Sequence, residues 1–263
     1  MILGIDFGAS TTDFVLVKGK KIIKAKSIQA IPLGKAEFFL LKFKFNFFPI
    51  KKIKITGGKS AFFKGKILGR KPLHVPELKA IALGALTLTN ERKALIASLG
   101  TGTAIINAKS KKKLKHLGGT GISGGTLLGL SKLILKTQSL KEIERLASKG
   151  KLKNVDLTVE DIIGKGIGII PGKATASNFA KLQNHKKEDL ALAIINLIAE
   201  ANAMALAFTA RETKQKKIIL IGKLAELKSI QKRLKEVLSY FKLKFIVAKN
   251  AGIATAYGAA IAN

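Results

Sequence analysis

Residues 118–125, GGTGISGG, place five glycines in eight positions and run straight into the apolar segment TLLGLSKLILK. Glycine is costly to order and packs no side chain, so such a block is expected where the backbone must come close to something else. Clustered backbone N–H groups suit an anion. A helix that starts on the block adds its own free N–H groups and the positive end of its dipole. Two shorter turns repeat the theme, DFGASTTD at 6–13 and LGTGTA at 99–104, each between strand-like apolar runs. One such turn would be weak support, since glycine turns are most often only turns, but three in one chain point to a polyphosphate. The segment GGKS at 57–60 does not add a fourth: a Walker A loop needs a glycine five residues before Gly58, and Ile53 stands there.

Carboxylates sort by context. Most of the 16 Asp and Glu fall on charged helical faces, among them Glu142, Glu144, Glu160, Asp161, Glu188, Asp189, Glu226 and Glu236, where a solvated surface is the expectation. Asp6 differs because it ends an apolar strand just before a small-residue turn. A carboxylate there can hold Mg²⁺ through the ion's waters, beside phosphates. Glu77 opens an otherwise apolar helix, LKAIALGAL, where the dipole favours its anion.

Composition removes several classes of chemistry. The chain has no cysteine, which excludes disulfides, iron–sulfur clusters and thiolate zinc sites and agrees with a reducing interior. The three histidines, His74, His116 and His185, show no metal-ligand spacing. The N-terminus MILGIDFGAS lacks a basic n-region, and no uninterrupted apolar run reaches the roughly 18 residues of a membrane span. A cytoplasmic protein without a membrane partner is expected. The net charge of +32 would by itself suggest nucleic acid, but the lysines are spread along the chain. The one dense cluster, KSKKKLK at 109–115, has no aromatic residues interleaved with it for stacking. The lysine excess therefore reads as a global bias that draws in anionic substrates, with no specific nucleic-acid partner.

Strands must position these turns, and the sequence alternates strands with helices. MILGIDF and the two runs around KGKK read as strands, and KAEFFLLKFKFNFF as an amphipathic helix with Phe38, Leu41 and Phe45 facing the core. IKITGG is a short strand, and PELKAIALGALTLT a helix with Pro76 at its first turn. A second series follows: a strand pair in KALIASLGTGTAIINAK, helices over GTLLGLSKLILK and LKEIERLASKG, and a looser stretch ending in IIPGKATASNFAKLQ. Residues 188 to about 212 form a long helix that is apolar almost all round and must be covered by a core or a second subunit. The strand KIILIGK, the helix AELKSIQKRLKEVLSYF, the strand KFIVAK and a small-residue helix AGIATAYGAAIAN complete the chain. The pattern predicts two α/β lobes, residues 1–90 and 91–263, each opening on a strand pair around a small-residue turn.

Nearly end to end, the chain resembles the type II pantothenate kinases, the fumble-like branch of the actin/Hsp70/sugar-kinase superfamily. The resemblance rests on GIDFGAST at 4–11, ITGGK at 55–59, PELKAIALGAL at 76–86, SLGTGTA at 98–104, LGGTGISGGTLLGL at 117–130, IPGKATASNF at 170–179, IILIGK at 218–223 and NAGIATAYGAA at 250–260. It implies a two-lobed actin-like (ribonuclease H-like) ATPase fold with ATP in the cleft, a homodimer, and ATP-dependent phosphorylation of pantothenate, the first step toward coenzyme A. Carried onto this sequence, it implies an ATP and Mg²⁺ site of Asp6, Gly8, Ser10, Thr11, Gly100, Thr101, Gly102, Gly118, Gly119, Gly121, Gly124, Gly125 and Gly222. It further implies that Thr101, Thr103 and His116 lie against the acceptor, and that Glu77 is the base that takes the hydroxyl proton.

Several positions depart from the family pattern. Ala9 stands for a glycine and Asp13 for a lysine in the first turn, His116 for an arginine, and Ala104 for a serine; the last two positions contact pantothenate in the family. Activators of acyl-CoA reductases share a similar first turn but need cysteines, as do the zinc-bearing bacterial sugar kinases. The alternatives left open are a kinase of this fold for another small hydroxylated acid or sugar, a nucleotide-binding pseudokinase, and a basic nucleic-acid-binding protein.

Overall fold

The computed structural model describes residues 1–181 and 186–263; His185 and Gln183 lie outside the described residues. The chain begins with strands β1 (Ile2–Phe7), β2 (Thr11–Lys18) and β3 (Lys21–Gln29), helix α1 (Ala36–Lys42), strands β4 (Lys52–Thr56) and β5 (Leu73–His74), and helix α2 (Glu77–Leu88). Strands β6 (Ala94–Leu99), β7 (Thr103–Ala108) and β8 (Leu114–Thr120) follow, with helices α3 (Gly124–Leu130) and α4 (Leu140–Ala147). Strand β9 (Leu157–Thr158), helix α5 (Val159–Ile163) and strand β10 (Thr175–Ser177) form a small unit. The chain then runs through α6 (Lys187–Thr213), β11 (Lys217–Ile221), α7 (Lys228–Tyr240), β12 (Lys244–Val247) and α8 (Ala254–Ile261).

Two five-stranded mixed sheets carry the fold, in orders β3-β2-β1-β4-β5 and β12-β11-β6-β7-β8. Read from the other edge, the second order is β8-β7-β6-β11-β12, so both sheets consist of an antiparallel three-strand meander continued by parallel strands. This repeat of topology is invisible in the residues. Strands of the first sheet all precede residue 90 and those of the second all follow it, but the helices do not sort in the same way. Ile81, Ala82, Ala85 and Leu86 of α2 pack on Ile96, Ile106, Ile219 and Ile221 of the second sheet. Ala256, Tyr257 and Ala260 of α8 pack on Val15 and Val17 of the first. The two helices cross at backbone contact: a Cβ at Gly84 would lie 2.0 Å from the Ala254 carbonyl oxygen, and one at Gly258 1.8 Å from that of Ala80. Buried Lys54 on β4 donates to the carbonyls of Ala260 and Ala262, capping the end of α8 over the first sheet.

Each sheet's other face makes a separate core. Leu3, Ile5, Phe7, Phe14 and Leu16 meet Leu40 and Phe45 in the first. Leu95, Ala97, Leu99 and Ile105 meet Ile194, Ile195 and Ile198 of α6 and Leu234 and Leu238 of α7 in the second. Each fully buried Leu or Ile there is worth roughly 1.5–3 kcal/mol against exposure.

The structure corrects two expectations. Helix α1 stops at Lys42 and Lys44 adopts φ 57°, so of the expected stripe only Phe45 is buried, whereas Phe38 and Leu41 are exposed. Residues 114–120 form strand β8, not part of a glycine loop: Gly118 and Gly119 extend the meander past a bulge at Ile105/Ile106. Helix α6 is long and apolar enough, by length and composition, to cross a membrane, although no unbroken apolar run announced it. Its interruptions by Asn196 and Asn202 are buried against protein, and most of its apolar residues lie in the second core.

Candidate active site

The β1–β2 and β6–β7 hairpins point their turns at each other. Ser10 Oγ and Thr101 Oγ1 share a hydrogen bond of 2.8 Å across the gap. The 6–13 and 99–104 turns are thereby brought together from sequence positions about ninety apart.

The first turn carries charge. Asp6 and Asp13 are directly opposite each other on β1 and β2. Asp6 Oδ1 is buried without a hydrogen-bond partner. Burial, then the Asp13 charge, then the Glu77 charge push its carboxyl up to about 8, against the pull of Lys223. Room for this carboxylate comes from Gly57, at φ 89°, where a Cβ would lie 2.3 Å from Asp6 Oδ1. Lys59, two residues on, reaches the Ala9 carbonyl at 3.4 Å. The GGKS segment is therefore no Walker A loop, yet it builds the floor and flank of the first turn. Sequence reasoning missed this because the contact with β1 arises from parallel pairing of β1 and β4. Gly8 closes the turn, since a Cβ there would lie 2.9 Å from the Thr11 carbonyl oxygen, and Thr11 Oγ1 leans on Asp13 at 3.5 Å.

The second turn is held by backbone. The Gly100 N–H donates to the Gly102 carbonyl at 3.0 Å. Behind it, the N–H groups of Gly124 and Gly125 donate to the carbonyls of Gly100 and Thr101 at 3.0 and 2.9 Å, and Ser123 Oγ donates to Gly100 at 3.1 Å. The start of α3 thus spends its first N–H groups on the turn and does not offer them free to a phosphate. The glycines have the same reason: Cβ atoms at Gly119, Gly124 and Gly125 would meet the carbonyl oxygens of Thr103, Gly100 and Thr101 at 1.8, 2.6 and 3.0 Å. Gly118, at φ 117°, and Gly121 have open space where a Cβ would stand.

The remaining candidates divide. Glu77 is exposed at the start of α2, capped by Pro76, and partial burial of its carboxyl holds it above its ordinary value. Gly222, at φ 91°, packs on β6, where a Cβ would lie 2.4 Å from the Leu99 carbonyl oxygen, and its N–H donates to Ala251 at 2.8 Å. That bond ties the IILIGK strand end to the NAGIA segment. Thr103 is buried and donates to Asn202 Oδ1 of α6 at 2.6 Å. His116 is exposed on β8, opposite Ile106.

An ATP and Mg²⁺ site fits this donor set. Asp6 is half-buried, its Oδ1 has no hydrogen-bond partner, and the charges of Asp13 and Glu77 outweigh that of Lys223 around it. Among the described residues no group of three or more His, Asp or Glu is placed to hold an ion alone. That combination suits Mg²⁺, which takes one or two carboxylates and leaves its other positions to phosphates and water.

The family described as Fumble matches residues 90–259. A type II pantothenate kinase of Bacillus cereus (strain G9842) is 31% identical over 232 residues, covering 84% of this chain and 82% of its own. One from Oceanobacillus iheyensis is 33% identical over 183 residues, covering 66% and 67%. Among solved structures, the activator of the 2-hydroxyisocaproyl-CoA dehydratase from Clostridium difficile, with bound ADPNP, superposes with a TM-score of 0.74 at 17% identity, over 99% of this chain and 92% of its own. A ROK family glucokinase from Streptomyces griseus, in complex with glucose and AMPPNP, gives 0.61 at 13% identity, over 98% and 97%. At such identities the likeness is one of fold, the two-lobed actin-like ATPase and sugar-kinase architecture. With that fold, the facing turns and the sequence relatives together, this chain belongs to the Fumble family, the type II pantothenate kinases.

Proposed function

We propose that the facing turns transfer the γ-phosphoryl group of ATP to the hydroxyl of pantothenate, the reaction of the family and the first step toward coenzyme A. The observation that carries the reading is the convergence of the 6–13 turn, the 99–104 turn and the 222–226 segment beside Asp6, whose buried Oδ1 has no hydrogen-bond partner. Such a reaction needs positioning, charge neutralisation and a proton acceptor. Asp6 would hold Mg²⁺, which would supply neutralisation of phosphate charge when bound. The turns at Gly8–Thr11 and Gly100–Gly102 border the phosphates, with Gly118 and Gly121 as open edges and Gly119, Gly124 and Gly125 as the support behind. Gly222 borders the adenosine. Glu77 accepts the proton of the pantothenate hydroxyl; its raised carboxyl pKa supports this, because a base works best when its pKa approaches the operating pH. Thr101 and His116 line the acceptor side, and Thr103 acts there through its hold on the turn.

Release of ADP, followed in a coupled assay over a panel of hydroxylated acids and sugars, tests the reading. Release with pantothenate alone is expected. Release only with another acceptor would reassign the substrate, and binding of ATP without release would make the protein a pseudokinase.

The two lobes, residues 1–90 and 91–263, exchange helices α2 and α8, and the protein works in the cytoplasm as a homodimer. Leu197, Ala201, Met204 and Phe208 leave an apolar stripe of α6 partly uncovered, with Phe208 60% exposed, and a second copy covers it. A monomer at micromolar concentration in sedimentation would defeat the dimer.

A further inference from the structure

The ion pair of Lys223 and Asp13 lies beside Asp6. Asp13 faces Asp6 across β1 and β2, and Glu77 adds a third negative charge to the surroundings of Asp6. Carboxylates opposite one another on paired strands repel, and burial strengthens the repulsion. Lys223 answers part of this charge from the other sheet, its Nζ donating to Asp13 Oδ1 at 2.9 Å. The backbone that carries it is fixed. Lys223 follows Gly222, which is packed against Leu99 at the end of the strand leading into the second turn. The ammonium is therefore held where the first turn, the second turn and the segment next to Ala251 meet. Asp13 is 6% exposed but the Lys223 side chain 29%, so the pair presents its positive member outward. An ammonium has three donors, and Asp13 accepts one of them. The other lysine near the first turn, Lys59, is exposed and bonded to a backbone carbonyl at 3.4 Å, on the flank of the turn and not between the two sheets.

We propose that Lys223 is the cation that binds the phosphate chain of the nucleotide, with Asp13 as the positioning residue that holds its ammonium between the two turns. The proposal rests on the kinase reading and names a binding residue within it. A charge-assisted hydrogen bond from a partly desolvated ammonium to phosphate discriminates sharply between nucleotides and the bare nucleoside. A single ammonium can turn from carboxylate to phosphate because its three donors rotate on a flexible stem.

Calorimetric titration of ADP and of adenosine into wild type, Lys223→Met, Lys223→Arg and the double variant Asp13→Asn/Lys223→Met tests this. Lys223→Met should lose about tenfold or more in ADP affinity, while adenosine affinity changes less than about twofold. The double variant, which removes the unpaired buried carboxylate and keeps the shape of the pair, should show the same selective loss even if the single variant folds poorly. Lys223→Arg should retain most of the ADP affinity. An equal loss for ADP and adenosine, or a lower melting temperature in the variants with ADP affinity unchanged, would reduce the pair to a tie between the sheets and overturn the proposal. Wild type that binds neither ligand would instead overturn the kinase reading itself.

Discussion

In the first sheet the leading hairpin brings charged side chains to its turn, with Asp6 and Asp13 opposite one another and Lys223 reaching in. In the second sheet the equivalent hairpin has no charged residue from Leu99 to Ala104, and its turn is held by main-chain bonds from Gly124 and Gly125. The two share a strand order and a position at the gap, so the difference lies in what each must do. On the proposed reading the first turn holds Mg²⁺ and needs carboxylate side chains, which cost stability when buried unpaired. A turn that borders an anion needs oriented N–H groups, and those stay in place only if the chain behind them is close-packed. The glycines at 119, 124 and 125 provide that closeness.

The sharpest way to separate chemistry from scaffold lies outside both hairpins. Glu77→Gln should lower turnover by about 10²–10⁴-fold and leave ATP binding nearly unchanged, since the base acts on the acceptor. Single-turnover kinetics beside a nucleotide titration will read both, and near-normal turnover would remove Glu77 from the mechanism. On the scaffold side, Gly124→Val drives a branched side chain into the Gly100 carbonyl oxygen, 2.6 Å from where its Cβ must stand. Overpacking of this kind costs about 1–3 kcal/mol. Because the strain falls on the second turn, melting temperature and nucleotide affinity should drop together; intact affinity in a folded variant would show that the block does not support the turn.

Charge in the first turn is tested by pH. The Asp6 carboxyl stands at about 8 in the fold, against 3.8 as its ordinary value. Its contribution to stability is therefore complete below about pH 4 and is lost as pH rises toward 8, by at most about 1.4 kcal/mol per pH unit. Asp6→Asn carries no such slope, so in the absence of nucleotide its melting temperature should gain on wild type across that window. Parallel curves would mean that Asp6 is ionised throughout. The smallest contrast sets two hydroxyls against each other. Thr103→Val strands buried Asn202 Oδ1 and should cost about 1–3 kcal/mol in chemical denaturation. Ser10→Ala breaks an exposed bond and should cost less than about 0.5 kcal/mol, with any effect confined to nucleotide binding.

Much of the candidate site's make-up was legible in the residues. Asp6 at the end of an apolar strand, glycine at 100, 102 and 118–125, and Glu77 opening an apolar helix are local patterns, and local patterns follow from backbone preference and the period of burial. The strand runs around both turns were equally plain. What the residues could not reveal was which face each element covers. The exchange of α2 and α8 between the sheets depends on backbone contact at Gly84 and Gly258, where any Cβ would collide with a carbonyl, and no pattern within either helix names its partner. The stripe of Phe38, Leu41 and Phe45 failed for a related reason: the period held in the residues, but the helix ended before its third member.

The sequence alone determined the inventory: a chain without cysteine chemistry, with small-residue turns between strands, with one carboxylate ending a strand and another starting a helix. Tertiary structure decided the assignments. Asp13, read in sequence as a missing cation, lies bonded to Lys223, 210 residues later in the chain. GGKS, set aside as a failed motif, became the wall beside Asp6 through the pairing of β1 with β4. Gly124 and Gly125, expected to open toward phosphate, turned out to brace the 99–104 turn. Composition and periodicity act over a few residues, whereas charge pairing and close packing act between any groups the fold brings together, and at this site those groups come from both ends of the chain.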